Sequence, residues 1–358
     1  MPQNLRVPGP TPLPAAVRSA QAAPMINHRG PEFAELLTDV TERLRRLLDT
    51  RAEVLILTGS GTGALEAAIV NTLSPGDPVL AATIGEFGDR FAAIAEAFGA
   101  DVERLPSDRG SATEPEALER ALGRGDAPYR AVLLTHNETS TGVCNDIRRL
   151  AAVARRARGE PLVIVDGISG LGAMPFELDA WGVDLVVSAS QKAWMGSPGL
   201  AFAVLAERAQ AAAETARMPR FYWDFREARR WAREGQTPWT PAVSVLYGLR
   251  VGLERLEAEG REATWARHAA IARATRAGLE ALGLRLVAAP EHRSNTVSAA
   301  WLPDGVVWTE LSTRAHERGL VIAGGQGTLK GRILRIGHMG EVTIDDVVDA
   351  LSVLRALL

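Results

Sequence analysis

Of the 40 basic residues in this chain only two are lysines, Lys192 and Lys330. Where arginine serves nearly every positive charge, a retained lysine points to a need for the amine itself. An amine can lose its proton and attack a carbonyl, which a guanidinium does not do. Lys192 lies in Ser188-Ala189-Ser190-Gln191-Lys192-Ala193-Trp194, just after the apolar run Asp184-Leu185-Val186-Val187. That spacing predicts a position at the end of a buried strand, where open α/β sheets carry their chemistry. Lys330 falls instead in Gly325-Gln326-Gly327-Thr328-Leu329-Lys330-Gly331, a loop by composition.

Asp166 closes a second apolar run, Leu162-Val163-Ile164-Val165, and precedes Gly167. Its carboxylate is therefore expected at the same sheet edge. An Asp alone at such a turn is commonplace, but an Asp and a Lys at the ends of two strands are together more specific. They suit pyridoxal phosphate: the lysine forms the imine and the carboxylate keeps the pyridine nitrogen protonated, so that the ring accepts electrons. Ser60-Gly61-Thr62 bridges a strand to a helix and offers free backbone N–H groups to a phosphate. It lacks the Gly-Lys-Ser/Thr of a Walker A loop and the full dinucleotide fingerprint. Arg335, in Arg332-Ile333-Leu334-Arg335-Ile336-Gly337, stands in an otherwise apolar strand. It reads either as a salt-bridged structural residue or as a bidentate clamp for a substrate carboxylate.

The elements that must position these residues follow from hydrophobic periodicity. A helix is expected over 31–49, then strand 54–57, helix 64–71, strand 79–82 and helix 91–98. Strand 131–135, helix 147–158, strand 162–166 and strand 184–187 come next. Such alternation predicts an α/β fold with a mostly parallel sheet flanked by helices. Beyond residue 242 a long helix is expected over 243–282. Short strands (296–302, 333–336) and helices (310–318, 344–357) then form a smaller α+β part. The predicted organisation is an N-terminal strap over 1–20 packing on the small domain, a large domain over 21–255 and a small C-terminal domain over 256–358.

Composition bounds the function. The chain has 358 residues, 46% hydrophobic and 23% charged, with a net charge of −3. This gives no electrostatic case for nucleic acid or an anionic membrane. Its single cysteine, Cys144, leaves no intramolecular disulfide and no cysteine-based zinc cluster, so a reducing, cytoplasmic setting is expected. No metal site is predicted. The run Arg220-Phe221-Tyr222-Trp223-Asp224-Phe225-Arg226 reads as an interface or surface loop. Glu66 and Glu138 lie beside motif residues without a spacing that assigns them acid–base work, and His28-Arg29 and His338 read as ordinary turn residues.

Taken in order, Thr58-Gly59-Ser60-Gly61-Thr62, Thr135-His136-Asn137-Glu138-Thr139-Ser140-Thr141-Gly142, Val165-Asp166, Ser190-Gln191-Lys192 and Leu334-Arg335-Ile336-Gly337 resemble one family. They are similar to the class V aminotransferases of pyridoxal-phosphate fold type I, in particular the alanine–glyoxylate / serine–pyruvate (serine–glyoxylate) group. The resemblance runs from Pro8-Gly9-Pro10 to the C-terminal helix. It implies Lys192 as the Schiff-base lysine, Asp166 as the partner of the pyridine nitrogen, and Ser60, Gly61, Thr62 and Gln191 on the phosphate. It also implies Phe87 stacked on the cofactor ring, where relatives often carry Trp, and Thr139 near the ring oxygen. Thr237 and Thr240 would reach the phosphate of a neighbouring subunit in a homodimer; animal relatives commonly carry Tyr at the place of Thr237. Arg335, with Gly9, would meet the substrate carboxylate. The implied reaction moves an amino group from alanine or serine to glyoxylate or pyruvate by a ping-pong cycle. Neighbouring groups act on aminoethylphosphonate or ureidoglycine. A class V lyase such as a cysteine desulfurase needs a mobile thiolate, which Cys144, placed beside the 139–142 motif, does not match. A non-catalytic homologue is the remaining alternative.

Overall fold

In the computed structural model, which describes residues 3–124 and 127–358, the alternation resolves into one seven-stranded sheet. Its strands are β1 (Glu53–Gly59), β2 (Pro78–Thr83), β3 (Asp101–Pro106), β4 (Ala131–Thr135), β5 (Leu162–Asp166), β6 (Leu185–Ala189) and β7 (Gly199–Leu205). The spatial order is β1-β7-β6-β5-β4-β2-β3. Only β7 runs against its neighbours, pairing antiparallel with both β1 and β6. The other six therefore share one direction, and their carboxyl ends line one edge. That edge is where the turns leading to Ser60, Phe87, Asn137, Gly167 and Gln191 emerge.

Both faces of the sheet are covered, as parallel strands require. On one side Phe33, Val40 and Leu44 of α1 (Pro31–Leu48) pack with Val132, Leu134, Val163 and Val165. On the other, Leu65, Ala68 and Ile69 of α2 (Gly61–Thr72) and Phe91 of α3 (Glu86–Ala97) cover Leu55, Leu57, Leu133, Ile164 and Val187. Neighbouring residues of one strand thus serve opposite cores, the period-two signature of a buried strand. Helix α4 (Ile147–Arg156) presents Ile147, Leu150, Ala151 and Ala154 to the first of these faces.

The helical run after residue 242 is two helices, α5 (Val243–Glu259) and α6 (Arg261–Ala281), rather than one. They break at Gly260, whose φ of 88° lies outside anything a helix interior adopts. Beyond them, β8 (Val297–Trp301), β9 (Ala323–Gly324) and β10 (Ile333–Gly337) form an antiparallel sheet in the order β8-β10-β9. Helices α7 (Trp308–Glu317) and α8 (Ile344–Arg355) close its own core around Leu311, Leu334, Ile336, Ala350 and Leu354. The N-terminal segment joins this part: Asn4–Leu5 pairs in parallel with Leu320–Val321, and the Gly337 N–H donates to the Arg6 carbonyl at 2.7 Å. From there the segment runs across to the carboxyl edge of the large sheet, where the Thr11 N–H donates to the Gln191 carbonyl at 3.1 Å. No helix among the described residues is long and apolar enough to cross a membrane.

Candidate active site

One cavity at the carboxyl edge is lined by Ser60, Gly61, Thr62, Phe87, Thr139, Asp166, Gln191 and Lys192, together with Leu65, Arg90, Asn137, Ile168 and Ser169. Eight residues drawn from five separate segments of sequence are thereby brought to one place. Lys192 follows β6 in a turn closed by Met195 N–H to the Lys192 carbonyl (3.2 Å) and Gly196 N–H to the Ser190 carbonyl (2.9 Å). Its Nζ donates to the Pro8 carbonyl at 2.6 Å. Burial lowers the amine to a pKa of about 8; Asp166 opposes that shift and Arg335 adds to it. An amine of this kind is partly neutral near physiological pH and able to act as nucleophile or base.

Asp166 ends β5. Its Oδ1 accepts the Ile168 N–H at 2.9 Å. Burial raises its pKa to about 7, the Ile168 N–H pulls the other way, and Glu138 raises it further. A cation brought against this carboxyl would favour its ionised form. At the other end of the cavity Ser60 caps α2, its hydroxyl accepting the Gly63 N–H at 3.3 Å. The glycines of this turn have packing reasons as well. A Cβ on Gly59 or Gly63 would lie 2.6 or 2.7 Å from the Trp223 indole, and one on Gly61 would lie 2.7 Å from Ile168. The indole is itself anchored by donating to Glu66 at 3.0 Å.

Arg335 lies on β10, 6% exposed. Its Nε donates to the Gly324 carbonyl at 2.7 Å and its Nη1 to the Thr139 carbonyl at 2.9 Å. Burial lowers its pKa from the ordinary guanidinium value, which the nearby Glu138 resists. Among the described residues no carboxylate lies within ion-pair distance of it; its guanidinium is oriented by these main-chain carbonyls, and neither Arg335 nor Gly9 is among the residues lining the cavity. Gly9 passes so close to the lysine that a Cβ there would fall 2.4 Å from Nζ. Thr11 fixes this crossing, its N–H donating to the Gln191 carbonyl at 3.1 Å and its hydroxyl to the Lys192 carbonyl at 3.1 Å.

Thr237 and Thr240 are not at this cavity. Thr237 is buried elsewhere, its hydroxyl donating to the Trp239 carbonyl at 2.7 Å, and Thr240 is exposed. Phe221 and Trp239 stack beside them at 4.8 Å, with Phe221 77% exposed. Sequence reasoning gave no role to Asn137, Ser169 and Arg90. Asn137 donates to Ser169 and Thr296 at 2.7 and 2.8 Å, joining the two parts of the molecule beneath the cavity. Arg90 lies over the Phe87 ring, 4.7 Å from its centroid. Asn137 sits inside a quoted motif and could have been flagged there; Ser169 and Arg90 carry no local signal.

Cys144 does not line this cavity. Its thiol is pushed up to about 12, chiefly by burial, and it packs beside Ala173, Met174 and Ala193. Among the described residues no cluster of three or more histidine, cysteine or acidic side chains is placed to hold a metal.

The profile of the family described as Aminotransferase class-V matches residues 16–347. The chain is 42% identical to a Synechococcus protein named Soluble hydrogenase, small subunit, over 99% of this chain and 92% of the relative. It is 40% identical to the L-aspartate–glyoxylate aminotransferase of Paracoccus denitrificans, over 94% of this chain and 86% of that one. The crystal structure of alanine–glyoxylate aminotransferase from Nostoc sp. matches with a TM-score of 0.94 at 30% identity, covering 100% of this chain and 95% of that one.

Proposed function

The chain belongs to the class V aminotransferases, and from that premise we propose that it moves an amino group from alanine or serine to glyoxylate or pyruvate in a ping-pong cycle. The observation that carries this reading is the cavity itself, where a buried amine of pKa about 8 and a buried carboxyl line one space. Arg335, held by main-chain carbonyls, supplies an anchor for the α-carboxylate of amino and oxo acid alike.

The cofactor of this family is pyridoxal 5′-phosphate, and the residues present fit it. A phosphate suits the free N–H groups at the start of α2 and Gln191, which lines the same cavity and whose amide NH2 can donate. When bound, the cofactor supplies a carbonyl that takes up amino groups and a ring that draws electrons from the substrate Cα. Lys192, as a neutral amine, would hold the cofactor covalently and would be placed to serve as general base for the substrate Cα proton. Asp166 would keep the ring nitrogen protonated, and Thr139 would offer its hydroxyl to the ring oxygen. Phe87 covers one ring face. Arg335, beside the Gly9 main chain, binds the substrate carboxylate in both half-reactions. Thr237 and Thr240 would complete the phosphate site of a second copy, a homodimer in which the Phe221–Trp239 stack is covered. A cytoplasmic setting belongs to the same reading, on the ground of the unpaired Cys144.

Aspartate as donor is a second reading. It draws on Arg90, which lines the cavity without a carboxylate partner among the described residues and could take a second carboxylate. The name of the Synechococcus relative points elsewhere, but iron–sulfur sites use several thiolates and this chain has one cysteine.

The test is a panel of single amino acids added to the violet-absorbing purified protein. Bleaching by alanine or serine, with colour restored by glyoxylate or pyruvate, supports the proposal. Bleaching by aspartate alone selects the second reading, and colour that none of them removes overturns both.

A further inference from the structure

Glu138 is completely buried, yet both of its carboxylate oxygens are fully used. Oε2 accepts the N–H groups of Phe87 and Gly88, each at 3.1 Å. Oε1 accepts the N–H of Ser140 at 3.0 Å and its hydroxyl at 2.7 Å. Three of these four partners are N–H groups, which only donate. The Ser140 oxygen also accepts the Glu86 N–H at 3.1 Å, and its hydroxyl proton donates to Glu138. The side chain is therefore an acceptor on both oxygens, the bonding of a carboxylate. Burial pushes its pKa up, and these four hydrogen bonds oppose the shift.

The knot also explains Gly85. A Cβ there would lie 2.5 Å from the Ser140 hydroxyl and 2.7 Å from Glu138 Cγ, at a φ of 155°. The main chain next to Glu138 matters equally, because the Thr139 carbonyl accepts from Arg335. One buried anion thus ties the turn that presents Phe87 to the segment that orients the guanidinium.

We infer that Glu138 is a positioning residue for both ligand-facing groups. As a carboxylate it fixes the turn carrying Phe87 against the cofactor ring, and with it the Thr139 carbonyl that aims Arg335 at the substrate. This rests on the functional reading above, in which Phe87 covers the ring and Arg335 meets the substrate carboxylate.

Glu138→Gln tests it. The amide keeps the size, but its NH2 must face either the Phe87 and Gly88 N–H groups or that of Ser140, donor against donor. The cofactor dissociation constant, measured by absorbance titration of the cofactor-free protein, should rise by about tenfold or more. The visible circular dichroism of the bound ring should fall, and the donor KM should rise more than kcat drops. In a Phe87→Leu background the same change should cost the cofactor little further, since the two act as one unit. Ser140→Ala, which removes a single donor, should shift the same readouts less and carries the test if the amide variant does not fold. Wild-type cofactor affinity and dichroism in both variants, or an effect as large without Phe87 as with it, would overturn the inference. A wild-type protein that takes up no cofactor would fail the functional reading instead.

Discussion

At the scale of single residues, the site works by withholding water from groups that would otherwise be fully charged. Lys192 has its amine lowered to a pKa of about 8, mainly by burial, while the Pro8 carbonyl holds the donor proton in place. Only the neutral amine attacks a carbonyl, so cofactor uptake by the cofactor-free protein should quicken as pH rises through about 8 and level off above it. Following the growth of visible absorbance after mixing, from about pH 6 to 10, reads this directly; a flat profile would contradict it. Arg335 makes a second prediction. Arg335→Lys keeps the charge but loses the planar fork, and the donor KM should rise by about 10- to 100-fold with a smaller effect on kcat. An unchanged KM would show that the carboxylate binds elsewhere. Lys192 and Asp166 were legible in the sequence because a scarce amine and an acid each closed an apolar run. Arg90 and Ser169 were not, since they reach the cavity only through folding, from one turn into α3 and from the loop after β5.

At the scale of elements, the turn between β1 and α2 depends on what its glycines leave out. The Trp223 indole fills the space over Gly59 and Gly63. Gly63→Ala should force that ring aside, lower stability by about 1–3 kcal/mol as overpacking does, and weaken cofactor binding. Thermal melting checks the first effect and absorbance titration the second; an unaltered melting temperature would contradict it. Periodicity located β1, β2, β4, β5 and β6, whose buried runs are apolar throughout. It gave no signal for β3, an edge strand whose residues Asp101, Glu103 and Arg104 are exposed. The expectation omits β7, although its run Leu200–Leu205 is apolar and buried; what the sequence could not show is its antiparallel place between β1 and β6, a matter of pairing. The helix expected over 243–282 overlooked the break at Gly260, where tertiary geometry, not helix propensity, sets the backbone.

At the scale of the whole molecule, the buried polar groups define an acid limit. His338, directly after β10, and His268, whose Nε2 accepts the Gly340 N–H at 3.2 Å, are both buried, which lowers them to pKa values of about 3 and about 4. In the unfolded chain each would take a proton near pH 6.5. Below that value the unfolded state binds more protons, so stability is complete above pH 6.5 and is lost as pH falls toward 4. The loss should be on the order of a few kcal/mol at pH 4. Denaturant midpoints at neutral and acid pH measure it, and equal midpoints would contradict it. The path of the N-terminal segment is not legible in the sequence, because what it joins is brought together only by folding. The segment pairing Asn4–Leu5 with Leu320–Val321 reaches Lys192 through Pro8, Gly9 and Thr11, and no local pattern announces that path.

The central claim is that Lys192 is the covalent anchor of the cofactor, and two lysines in the whole chain make it simple to test. Protein loaded with pyridoxal phosphate is reduced with borohydride, digested, and the modified peptide sequenced by mass spectrometry. The pyridoxyl group is expected on the peptide containing Lys192, and Lys192→Ala should retain none. A label on Lys330, or none on either lysine, would contradict the assignment.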